Sequence, residues 1–122
     1  VDYELRLQSD IARYRVKLGQ VEAAREMLGE AVALADRDLQ KLQNFNRAAA
    51  LRLVAEAYAG LGEQDRALQL YKQVVELGSE NPNLRPRIKD ITASCVSMAL
   101  HNIEPDADLL SKIQQIVNGL KK

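Results

Sequence analysis

The sequence has no tryptophan, one phenylalanine, one cysteine, one histidine and three prolines in 122 residues. The single cysteine, Cys95, excludes an internal disulfide and fits a reducing compartment. His101 has no second histidine and no cysteine at ligand spacing, so no zinc motif is present. No run of 18 or more apolar residues exists, and no transmembrane helix is expected. Charge is balanced, 17 basic against 17 acidic residues, so nothing global draws the chain to nucleic acid or to an anionic membrane. Nucleophile motifs are missing too. The Gly60-Leu61-Gly62 stretch lacks the Lys-Ser/Thr that a phosphate-binding loop needs. Neither an enzyme nor a bound cofactor or metal is expected.

What is present is aliphatic. Hydrophobic residues make up 47% of the chain, mostly Leu, Ala, Val and Ile, and no segment alternates as a strand would. The apolar positions recur at three- and four-residue steps. The first segment, Asp2 to Leu18, carries Leu5, Ile11, Tyr14 and Leu18. The second carries Val21, Ala24, Leu28, Ala31, Val32 and Ala35 and fades at Asp36 to Asp38. Gln40 to Asn46 reads either as a loop or as the overrun of two long helices. A third helix spans about Arg47 to Leu61. A fourth carries Ala67, Leu70, Tyr71, Val74 and Val75 and ends on Leu77-Gly78 as a glycine stop. The stretch "SENPNLRP" is a connector, and Pro86 suits the first turn of a fifth helix striped by Ile88, Ile91, Cys95 and Met98. That helix ends near His101-Asn102. Glu104-Pro105-Asp106 opens a sixth, with proline at the first helical position and acids at the positive end of the dipole. The spacing therefore predicts an all-α chain of six helices in three antiparallel pairs.

The pairs repeat. "VKLGQVEAAREML" lies over "AGLGEQDRALQLY", matching Gly19 to Gly62, Ala24 to Ala67 and Leu28 to Tyr71. Glycine permits a sharp reversal at positive φ, and alanine lets two helices approach closely. A third copy falls loosely on Ile103-Glu104, Leu109 and Ile113, without the glycine or the alanine. At these residues the chain resembles the tetratricopeptide repeat family. Leu51, Val54, Ala55, Tyr58, Gly62, Ala67 and Tyr71 fall on its pattern of large, small, glycine and aromatic positions. The resemblance implies a right-handed solenoid of three stacked hairpins, in units of about 1–42, 43–82 and 83–122. The period of about 42 residues resembles a long-helix variant of the usual 34. The third unit reads as a repeat or as a cap. The whole is expected to be one domain, cut from a longer chain, and cytoplasmic, with a periplasmic location left open.

In that family the first helix of each pair lines a concave groove that holds peptides or helices. Carried over position by position, the resemblance implies a groove from Arg6, Ser9, Arg13 and Lys17, then Arg52 and Glu56, then Met98 and His101. Independently, Arg6, Arg13 and Lys17 share one helix face by their spacing. The expected function is a protein–protein interaction module taking a protein or peptide partner, an acidic one by the charge of that face. The plainer reading makes these residues solvated charges on an amphipathic helix. The rival function is a structural segment that packs on a larger protein or self-associates as a homodimer. Nucleic acid and membrane are not expected as partners. Cys95 reads as a small core residue, His101 as a helix-end side chain, and the carboxylates of "EPDAD" as helix caps.

Overall fold

The computed structural model describes residues 1–120, and all regular structure among them is helical. The order is α1 (Asp2–Lys17), α2 (Val21–Asp38), α3 (Asn44–Gly60), α4 (Gln64–Ser79), α5 (Leu84–Leu100) and α6 (Ala107–Leu120). One 3-10 turn, Leu39–Lys41, joins α2 to α3. The segment 40–46 is thus split: its start lies in that turn, Leu42 and Gln43 are extended, and 44–46 are the first residues of α3. Arg47 reaches back to clamp it, donating to the carbonyls of Leu42 and Gln40, both at 2.9 Å.

All three hairpins end their first helix in the same way. Gly19 and Gly62 lie at φ 79° and 83°, and Asn102 takes the same left-handed position at φ 56°. In each case the next amide bonds back five residues: Gln20 to Arg15, Glu63 to Tyr58, Ile103 to Met98. The left-handed residue itself bonds back three, to Val16, Ala59 and Ala99 respectively. This is the Schellman closure, and asparagine is the residue that tolerates it best after glycine. The third reversal therefore has the same geometry, two residues earlier than the match of Ile103-Glu104 on Leu61-Gly62 placed it.

The core is densest in the first four helices and extends to Ile91 and Met98 of α5 and Leu109 of α6. Ala12, Ala24, Ala55, Ala67, Leu5, Leu28, Val54, Tyr71 and Val74 are wholly removed from solvent. Small residues at 12, 24, 55 and 67 let paired helices close without a gap. α5 packs on α3 and α4, whereas α6 buries only Leu109 fully. Asp106 caps α6: its Oδ1 accepts from the Leu109 amide at 2.9 Å, and Lys72 of α4 pairs with it at 2.6 Å. The Lys72 contact first, then the Leu109 amide, hold its carboxyl below the usual range. Pro105 therefore precedes the cap rather than opening the helix.

Three packing expectations are corrected. On α1 the buried residues are Leu5, Ser9 and Ala12, while Tyr14 and Leu18 point to solvent with Tyr3 and Leu7. On α5 the buried set is Asp90, Ile91, Ser94, Ser97 and Met98, and Ile88 and Cys95 are exposed. In both helices two apolar stripes coexist, and periodicity alone does not rank them. Third, Gly78 is no stop, because α4 continues through Ser79. A Cβ added at Gly78 would lie 3.0 Å from the Asp90 Cβ, so the glycine is there for close approach of α4 to α5. Alanine would raise helix propensity by about 1 kcal/mol yet overpack this contact. We expect Gly78→Ala to lose about 1 kcal/mol net, seen as a lower urea midpoint at unchanged m. A higher midpoint would show that α5 shifts aside freely.

Candidate groove between the first helices

The short turns reverse the chain at each step, so α1, α3 and α5 run in one direction and lie side by side. A cavity of about 550 Å³ opens between α3 and the first turns of α5. Asn46, Ala49 and Arg52 form its α3 wall, and Arg85, Pro86, Lys89, Asp90 and Ala93 its α5 wall. Three cations thus face one carboxylate. Arg52 and Asp90 are both largely buried, and the guanidinium Nη2 stands 3.5 Å from the Asp90 Oδ1 and from its carbonyl oxygen. These contacts are long, and the Arg52 Nε and Asp90 Oδ2 find no partner. Burial pushes the Asp90 carboxyl above its ordinary pKa, against the pull of Arg52.

A hydrogen-bond chain crosses the groove floor deeper in the stack. Ser97 Oγ donates to the Glu56 carboxylate at 2.6 Å, so its lone pair is left to accept from the Tyr71 hydroxyl at 2.5 Å. The chain thus has one direction, Tyr71 to Ser97 to Glu56, linking α4, α5 and α3. Burial, foremost, raises the Tyr71 phenol above its usual pKa, and the bond to Ser97 opposes it. The charges of Glu56, Arg52 and Arg13 act on it more weakly. His101 joins the same region. Its Nδ1 lies 2.8 Å from the Ser97 carbonyl, which can only accept, so Nδ1 carries the proton.

The other expected residues divide. Arg6, Arg13 and Lys17 are exposed on α1, and the last two line a separate shallow cavity of about 320 Å³ with Asp10 and Tyr14. Ser9 and Met98 are buried core side chains and present no surface to a partner in this structure. Arg85, Lys89, Asp90, Tyr71 and Ser97 escaped the reading of the sequence as groove residues. Arg85 and Lys89 stand four apart at the start of a helix, a spacing that marks one face. Nothing local singles out Ser97, whose role depends on two other helices. Among the described residues no cluster suits a metal ion, and no helix is long and apolar enough to cross a membrane.

A family model described as tetratricopeptide repeat matches residues 3–80, the span of α1 to α4. No curated protein and no solved structure matches the chain.

Proposed function

Since the chain belongs to the tetratricopeptide repeat family, we propose that it is a non-catalytic, cytoplasmic interaction module whose cavity between α3 and α5 takes an acidic or carboxylate-bearing peptide. Members of the family generally mediate contacts between proteins, which sets the class of ligand. The observation that carries the choice is the excess of cations over acids in the cavity: Arg52, Arg85 and Lys89 against Asp90. A guanidinium binds a carboxylate in a fork, and Arg85 is exposed and free to turn toward one. Arg13 and Lys17 are proposed as a second contact for the same ligand, and Arg6 as the end of that basic face. The exposed apolar stripes of α1 and α5 favour a second reading, self-association.

The cavity is tested with a fluorescent oligoglutamate peptide ending in a free carboxylate. Arg85→Glu with Lys89→Glu should weaken binding about tenfold or more, since two rim attractions become repulsions. Both side chains are exposed, so the fold should hold, as circular dichroism would verify. Equal binding by both proteins, or none by the wild type, would overturn the reading.

A further inference from the structure

The two outer faces of the helix stack match each other. On α1, Tyr3, Leu7, Ile11, Tyr14 and Leu18 follow steps of four, four, three and four, opposite the core-facing Leu5 and Ala12. Tyr3 is 86% exposed, Tyr14 63% and Leu7 57%, far from the usual place of such side chains. On α5, Leu84, Ile88, Thr92, Cys95 and Ala99 follow the same steps, and all are exposed. Val96 and Leu100, likewise exposed, widen this face. The α1 stripe is large throughout. Its counterpart turns small in its second half, at Thr92, Cys95 and Ala99, where the Tyr14 ring and Leu18 would fall.

Charge selects the direction. The first half of α1 is acidic, with Asp2 and Glu4 against Arg6. The second half carries Arg13, Arg15 and Lys17 against Asp10. The first half of α5 carries Arg85, Arg87 and Lys89 against the buried Asp90. Laid parallel, acidic half meets basic half; laid antiparallel, the two basic runs collide. Parallel is also how α1, α3 and α5 lie within the chain, so the contact would continue the internal stack.

We propose that the chain assembles head to tail, the α1 stripe of one copy seated in parallel on the α5 stripe of the next. Such a contact joins two different faces, so the assembly keeps one free face at each end, and growth stops only if a ring closes. A two-fold pair through α1 alone would leave the α5 face bare.

Light scattering on the whole chain, across a range of concentration, tests this. Wild-type mass should climb past that of a dimer. Leu7→Glu and Ile88→Glu each spoil one face, and each alone should stay a monomer, because the contact needs one face of each kind and every copy has lost one of them. Leu7→Glu keeps a good α5 face and Ile88→Glu a good α1 face. Mixed in equal amounts they should form a one-to-one dimer and nothing larger, while each alone stays a monomer. Both sites are exposed, and circular dichroism confirms the helices. A wild type that stays monomeric, or one that halts at a dimer abolished by only one of the two substitutions, would overturn the proposal. Neither residue lines the cavity between α3 and α5. Oligoglutamate binding retained by Leu7→Glu would therefore separate failure of assembly from failure of the groove.

Discussion

Tyr71→Ala should cost about 3–5 kcal/mol of folding stability, the largest single loss expected in this chain. Tyr71 is wholly buried and stands among the largest side chains that are. Its ring comes from α4 into the seam shared with α3 and α5, where its hydroxyl donates to Ser97. Truncation removes apolar area, leaves a cavity, and strips Ser97 Oγ of its donor at once. Tyr71→Phe separates these effects. It keeps the packing and loses only the hydroxyl, so about 1 kcal/mol should go. Urea unfolding of the two variants beside wild type measures both. If Tyr71→Phe loses as much as Tyr71→Ala, the hydrogen-bond chain holds the third hairpin and packing is secondary. If neither loses stability, the seam is not part of the cooperative core.

Arg52→Ala should cost about 3 kcal/mol near neutral pH, because it strands the Asp90 carboxylate in a largely buried site. The effect has a pH signature. Burial already raises the Asp90 pKa, and removing Arg52 takes away the charge that lowers it. A carboxyl raised in the folded state costs stability above its folded pKa. That cost fades as pH falls through the folded value toward the unfolded one, about 3.9. The gap between Arg52→Ala and wild type should therefore narrow on acidification. A gap independent of pH would show that lost packing, not the stranded charge, is the cause. Replacing both partners, Arg52→Met with Asp90→Leu, should be near neutral for stability, since the contacts that pair them are long. The same double change removes one cation and the one carboxylate from the cavity and leaves the excess of cations at two, so oligoglutamate binding should persist while the fold stands. Arg52 therefore serves the fold through Asp90, unlike Arg85 and Lys89 at the rim.

Much of the architecture was legible in the residue order. The three- and four-residue apolar steps gave helices, because an α-helix returns to the same face at that interval. Gly19 and Gly62 marked two reversals, since a positive φ is costly for most other residues. Ala24 and Ala67, each fully buried, marked where helices close on each other. Asn102 was less legible: asparagine takes the left-handed position in a minority of its occurrences, and only the backbone shows that it does so here.

Tertiary structure decided the rest, and for one reason: burial is a property of neighbours. α1 and α5 each carry two apolar stripes. Leu5 with Ala12 faced inward while Tyr14 with Leu18 did not, because α2 and α3 lie on one side only. Cys95 moved to the surface and Ser94 and Ser97 to the interior by the same rule. The Arg52–Asp90 pair and the Tyr71–Ser97–Glu56 chain join residues 38, 26 and 41 positions apart. No local spacing encodes such partners. The sequence by itself determined the helices, the two glycine reversals and the family. The stacking of the pairs decided which faces are buried, which charges meet, and which surfaces are left for another molecule.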